Sequence, residues 1–501
     1  MKRDNFYKDS ITLTISNLAT GILGFMFAIV LSRTLGPEGM GVYGLVMPIY
    51  NLFICLISGG MVAALSKISA LYFSKNDSKN LSKTVKICLS FDLIWGLIIA
   101  IIVFLSSSFI GTNIIKDTRT INAIKAICPA MIFVALSSIL KGYFYGISKV
   151  KIPAFIDIIE KGIRISLIIF IVKMLSTTSL SSTVTIAYIV LGAGELSSLI
   201  LLSIFYKAST HNLSNVIYKV ENRAQLLFDV LVISLPLCLN GFLTTALSTV
   251  STLIIPRRLV SAGIVYSAAL SMIGKFNGMA LSITFFPMIV IGSINTLLIP
   301  DLSQNLSKKD YFTLENRIAD VLKIAFLLGL TTTVICFCIP SSLGKMFFNR
   351  EDLGAYIKFA AVSAPITYAA VTTYGILNGL GKQGVLLRNS LIIAVEEVVL
   401  LYILTGIPSI NIYGYGISLI ITSFTTLLLN LYEIQKKCFL DLSLGELFIY
   451  ILFSLLLFFL LTIIKHILPV NRMVFTNVII ILLGFSFFFL SLKLINNKTR
   501  T

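Results

Sequence analysis

Four charged residues recur inside one apolar stretch at the spacing i, i+3, i+4, i+7: Asp157, Glu160, Lys161 and Arg164. On a helix that spacing places all four on one face, and Asp157–Lys161 and Glu160–Arg164 fall at i,i+4 with the acid first, the favourable order. In hydrocarbon each charge costs about 2.5–3.5 kcal/mol. Such a stripe therefore either neutralises itself by internal ion pairing or lines a wet cavity, and the spacing alone leaves both open. Glu195, within Gly192-Ala-Gly-Glu195, and the adjacent Glu396 and Glu397 are further carboxylates in apolar runs. A lone buried carboxylate takes up a proton or a cation; the alternative is satisfaction by neighbouring hydroxyls. Asp92 lies nearer the end of its run, where it is expected to reach water. Arg33 closes one apolar run and Arg257 with Arg258 another, while Lys275 lies in an amphipathic stretch, Ser267–Gly278. The two readings of these cations are interface anchors that snorkel and cavity cations. Several Arg and Lys in one cavity suit an anion, because Arg grips phosphate with two parallel donors.

Other chemistries lack their residues. No Gly-x-x-x-x-Gly-Lys-[Ser/Thr] phosphate loop occurs, and Gly36-Pro-Glu-Gly-Met-Gly41 has neither the order nor the strand context of a dinucleotide loop. His211 and His466 are 255 residues apart, and the seven cysteines show no metal spacing and read as buried apolar fillers. No catalytic residue, metal or organic cofactor is expected; coupling to H⁺ or Na⁺ through the carboxylates is.

The elements that hold these groups follow from composition. Of 501 residues, 57% are hydrophobic and 12% charged, with a mean hydropathy of +0.95; soluble proteins carry about 25% charged residues. The apolar residues form runs long enough to cross a bilayer. The reading is an all-α polytopic membrane protein with fourteen helices, over 10–33, 40–66, 85–110, 121–147, 152–176, 183–206, 226–256, 278–300, 316–340, 355–378, 385–406, 411–435, 446–467 and 473–493. The first run is too long for a cleaved signal core and reads as a span. The longest polar gap, Lys207–Gln225, holds no soluble domain. The net charge of +18 then reflects loop bias and anionic lipid rather than nucleic acid. With the amino terminus in the cytoplasm, the inner segments hold 25 Lys and Arg and the outer ones 12, which puts both termini inside.

An offset of 233 residues aligns two halves of the chain. It superposes Gly59–Asp77 on Gly292–Asp310, Tyr145-Gly-Ile-Ser-Lys149 on Asn378-Gly-Leu-Gly-Lys382, and the helix at 152–176 on that at 385–406, with Arg164 opposite Glu397. An offset near 224 places Arg33 opposite Arg257. The expected organisation is a six-helix lobe over 1–225, a second over 226–440, and a helix pair over 441–501 without counterpart. Transporters built from parallel repeats bind at the repeat interface near the midplane.

The first span followed by Arg33-Thr-Leu-Gly-Pro-Glu-Gly-Met-Gly-Val-Tyr43, together with Lys141-Gly-Tyr-Phe-Tyr-Gly-Ile-Ser-Lys149 and the span number, resembles the polysaccharide-biosynthesis membrane proteins of the multidrug/oligosaccharidyl-lipid/polysaccharide exporter superfamily. The resemblance runs over essentially the whole chain and is nearest to the sporulation members. It implies two pseudo-symmetric six-helix lobes around a central cavity, alternating access, and flipping of lipid-linked sugars such as the peptidoglycan precursor lipid II across the cell membrane for the spore cortex. The cationic cavity residues of lipid II flippases resemble Arg33, Arg164 and Lys275 in character; Arg257, opposite Arg33 in the repeat, is a further candidate cavity cation, and Glu160, Glu195, Glu396 and Glu397 are the candidate carboxylates for coupling. Implied partners are a lipid-linked oligosaccharide, membrane lipids and cortex-synthesis glycosyltransferases, with no nucleic acid. Two other readings stand beside it: a cation-coupled multidrug exporter of the same superfamily, and a non-transporting scaffold for cortex synthesis.

Overall fold

Helices α1 (Arg3–Ser58), α2 (Met61–Ser74), α3 (Ser78–Leu105), α4 (Ser107–Phe109), α5 (Ile121–Gly146), α6 (Lys151–Met174), α7 (Leu180–His211) and α8 (Arg223–Ser261) form the first half of the chain. They are followed by α9 (Tyr266–Ile273), α10 (Leu281–Phe285), α11 (Met288–Ser307), α12 (Tyr311–Cys338), α13 (Pro340–Phe348), α14 (Gly354–Val362) and α15 (Ala364–Gly379). The last are α16 (Gln383–Leu404), α17 (Tyr413–Gln435), α18 (Leu444–Ile467) and α19 (Met473–Lys498). This computed structural model describes residues 3–174, 179–211, 221–440, 444–468 and 473–498, and no strand occurs among them. Part of the expected gap Lys207–Gln225, residues 212–220, and the side chain of His211 lie outside the described residues.

Nine helical stretches among the described residues are long and apolar enough to cross a membrane, or up to eleven if each bent pair is one crossing. Three physical causes separate this count from the fourteen expected. First, α1 has 56 residues, about 84 Å at 1.5 Å per residue, far more than the roughly 30 Å of a bilayer core. It is split at Gly36 (φ 67°, ψ 179°), a conformation open to glycine, and Pro37 disfavours helical geometry in the residue before it. Second, α9–α10 meets α11 at a 56° bend and α14 meets α15 at 48°. The expected helix at 278–300 is thus interrupted at Phe286–Pro287, and the stretch holding Lys275 is the first limb of a bent pair. Third, α6 and α16 are long but carry at least three charges each.

Contacts group the chain into two units, Met1–Ile254 and Ile255–Thr501. Residues 226–254 of α8, expected in the second lobe, lie in the first unit: Cys238 Sγ donates to Cys55 O (3.2 Å), and Thr249 Oγ1 to Pro48 O (3.3 Å).

Within each unit the 233-residue offset recurs in detail. Both α3 and α12 have 28 residues, capped by Asp77 accepting from Asn80 N and by Asp310 accepting from Thr313 N. Positive φ occurs at Asn76, Lys116 and Ser148, and again at Lys309, Asn349 and Gly381. The core of the first unit contains Leu81, Val85, Tyr143, Phe144 and Ile147; that of the second contains Leu314, Ile318, Ile376, Leu377 and Leu380. Lipid tails are as apolar as these side chains, so close packing holds membrane helices together more than water exclusion does. Gly146 accordingly lets α5 approach Ser66 and Ser69 of α2, and Gly379 lets α15 approach Ile299 and Leu302 of α11.

Candidate functional site

The charged face of α6 is real, but its pairing reaches across helices. Arg164 lies thirteen residues into α6, about 20 Å along the helix and midway through its length. Its Nε meets Glu160 one turn earlier, and its Nη2 donates to Glu195 of α7. The side chain is 13% exposed, against 7% for Glu160 and 17% for Glu195. The α7 backbone comes close because residue 194 is a glycine: a Cβ there would lie 2.6 Å from Arg164 Cγ. Tyr50 of α1, 4% exposed, lies in the field of all three charges. Tyr43 stacks on Tyr188 with centroids 4.6 Å apart, and the Tyr188 hydroxyl donates to Tyr43 O at 2.7 Å. Two expectations change here. Glu195 is not a lone carboxylate, because Arg164 reaches it. Asp157 pairs with Lys141 of α5 (2.7 Å) rather than with Lys161, whose Nζ lies 4.0 Å from Glu160.

Chemically the arrangement is a buried cation shared by two carboxylates from different helices. An anionic oxygen can compete for the guanidinium only if one carboxylate is displaced or protonated.

Each of the remaining site residues has its own local surroundings. Arg33 and Arg257 are exposed. Beside Arg257, Arg258 donates to Tyr402 O (2.8 Å) and lies 4.3 Å over the Tyr402 ring. Lys275 is bound to Asp352 (2.8 Å), which also takes two hydrogen bonds of 2.9 Å from Arg350. The Arg350 guanidinium, then Lys275, hold the Asp352 carboxyl well below the usual range, against the effect of burial. Glu396 accepts from Thr425 Oγ1 (2.9 Å), and Glu397 lies near Tyr415. Asp92, expected to reach water, is fully buried, and both its oxygens lack a hydrogen-bond partner among the described residues. Its position on the inner face of α3 is a matter of rotation about the helix, which hydropathy does not register.

Sequence reasoning missed one cluster. Glu433 of α17 pairs with Arg388 (3.0 Å), Lys436 (2.9 Å) and Lys382 (3.5 Å). Asn389 extends the network through Asn430 (2.9 Å) to Thr373 (2.7 Å). The only signal was Lys382 in the repeated Asn378–Lys382 loop. The two quoted motifs, by contrast, have structural work: Glu38 binds Arg119 (2.7 Å), which also grips Asp117, and Tyr143 meets Ser209 (3.0 Å).

Apolar helices that carry paired charges in their interiors define a multi-pass membrane protein. The chain matches the polysaccharide biosynthesis protein family over residues 6–306, and it belongs to that family. It is 24% identical to stage V sporulation protein B of Bacillus subtilis (strain 168) over 438 residues, 87% of this chain and 85% of that one. It is 21% identical to lipid II flippase MurJ of the same organism over 402 residues, 75% and 73% of the two chains. Among solved structures, the inward closed conformation of lipid II flippase MurJ superposes with a TM-score of 0.69 at 14% identity, covering 96% of this chain and 99% of that one. An inward-facing multidrug resistance MATE family transporter of the MOP superfamily gives 0.63 at 15% identity, covering 85% and 94%. The fold is that of these transporters.

Proposed function

We propose that this protein is a flippase for a lipid-linked sugar, moving an undecaprenyl-pyrophosphate-bound peptidoglycan precursor such as lipid II across the cell membrane by alternating access. Similarity to stage V sporulation protein B along most of both chains supports the spore cortex as its destination, with cortex glycosyltransferases as partners and both termini cytoplasmic. The single observation that carries the chemistry is Arg164, buried in mid-helix and shared by Glu160 and Glu195. A pyrophosphate takes the guanidinium from one carboxylate, and the released carboxylate takes a proton or Na⁺, so substrate and coupling ion exchange at one cation. This is binding competition for Arg164, with no covalent step. Arg33, Arg257 and Lys275 are secondary contacts for the anion, Lys275 after release from Asp352; Glu396 and Glu397 are further coupling carboxylates.

The test is translocation of fluorescent lipid II in proteoliposomes. Arg164→Ala abolishes it, and Arg164→Lys, which keeps the charge without the bidentate fork, leaves a small residue. Undiminished flipping by Arg164→Ala refutes the exchange. A second reading, cation-coupled multidrug export, is favoured by the MATE-like fold and by the excess of carboxylate around Arg164. Uptake of an organic cation by the same vesicles under a proton or Na⁺ gradient, without lipid II movement, establishes that reading instead.

A further inference from the structure

A cleft of about 580 Å³ opens on the first unit between α3, α5 and α7, and neither Arg164 nor its two carboxylates line it. Its two ends differ. At one, Ser82 lies beside the Tyr206 hydroxyl, and Lys86, Lys207 and Thr210 line the wall. At the other, where Gly96 of α3 faces Ile132 of α5, the lining is Leu93, Leu136 and Leu199. The two ends follow from the helix directions: Tyr206 packs on Tyr143 late in α5 (4.9 Å), while Gly96, past Leu93 on α3, lies near Ile132.

Lys86 and Lys207 are both exposed, and no carboxylate pairs with either among the described residues. Two ammonium groups on facing helices make an anion site. The hydroxyls add a second preference. Thr210 and Ser90 spend their hydrogens on helix carbonyls (Tyr206 O, Lys207 O and Lys86 O) and keep lone pairs to accept. We infer that this cleft binds one anionic phospholipid with a hydroxyl-bearing head group, of the phosphatidylglycerol class. Its phosphate lies between Lys86 and Lys207, its glycerol hydroxyls donate to Thr210, and an acyl chain runs past Ser90 along the leucines. Charge complementarity selects the occupant: a choline or ethanolamine head would bring a third cation beside the two lysines. The site is independent of the flippase reading.

Native mass spectrometry of the detergent-solubilised full chain tests it, with phosphatidylglycerol and phosphatidylcholine of identical chains as probes. Phosphatidylglycerol is expected to stay bound at activation energies that strip phosphatidylcholine. Lys86→Gln/Lys207→Gln weakens that binding about tenfold or more. Lys308→Gln/Lys358→Gln, two exposed lysines of the other unit, leaves it unchanged. Leu136→Trp, which fills the apolar end without touching a charge, also removes the lipid and decides the matter should the double lysine variant not fold. Equal retention of the two lipids, or equal loss in the control pair, overturns the site. Glycerol phosphate binding as tightly as the whole lipid overturns the role of the leucines. Displacement of phosphatidylglycerol by an equimolar polyprenyl phosphate overturns the assignment of the occupant.

Discussion

The guanidinium of Arg164 satisfies two carboxylates at once, so removing it leaves Glu160, only 7% exposed, and Glu195 without their cation. Breaking a buried pair from one side costs about 3–5 kcal/mol. Arg164→Met is therefore expected to lower the Tm of the detergent-solubilised protein markedly, and Arg164→Met/Glu160→Gln/Glu195→Gln to recover most of the loss. A single variant as stable as the parent would show that the pairs contribute nothing. Asp352 makes a different prediction. Its carboxyl is held below the ordinary value by Arg350 and Lys275, so the folded state binds its proton less readily than the unfolded chain does. Its stabilisation is present above the unfolded value of about 3.9 and is lost as pH falls through the lower folded value. Asp352→Asn should lower the Tm modestly at pH 7, since the carboxylate is half exposed, and the gap to the parent should narrow steadily below about pH 4. A gap that stays constant down to strongly acidic pH contradicts the pairing.

Helices set what each residue can touch. The kink at Gly36 and Pro37 divides one long helix into two limbs, and the same segment places Glu38 against Arg119. The repeated glycine approaches differ in tightness. A Cβ on Gly146 would meet Ser69 Cβ at 2.5 Å and Ser66 O at 2.6 Å, whereas one on Gly379 would meet Leu302 Cβ at 3.0 Å and Ile299 O at 3.2 Å. Overpacking typically costs about 1–3 kcal/mol. Gly146→Ala should fall toward the upper end of that range and Gly379→Ala toward the lower, as read from Tm in one detergent. The reverse order would mean that α2 yields more readily than α11. How far the elements were legible follows from the same geometry. Gly59–Asp77 and Gly292–Asp310 were visible as a repeat because caps and turns are local. The bends at Phe286–Pro287 and Ser363 were not, since the apolar runs around them are unbroken in hydropathy.

At the scale of the whole molecule, α18 and α19 are tied into the second unit. Lys323 of α12 pairs with Glu446 (2.8 Å), Lys465 donates to Cys338 O (2.8 Å), and Asn477 donates to Ser342 O (3.2 Å). Gly484 packs directly against Ile335. Truncation after residue 440 removes all of these and uncovers the α12 face. The truncated chain should show a lower Tm and faster proteolysis within α12–α13, with the first unit unaffected; equal protease resistance of α12–α13 in both chains would make the pair a true appendix.

Composition and periodicity by themselves determined that this chain lives in a membrane, that its halves repeat, and that α6 bears a charged face. Those properties are sums over local sequence, and hydrocarbon enforces them strongly. The partners of the charges were decided only by tertiary structure. Asp157 chose Lys141, Glu195 chose Arg164, Lys275 chose Asp352, and Asp92 turned inward. Ion pairing depends on the rotation and separation of neighbouring helices, and residues far apart in the chain acquire both only when the helices pack.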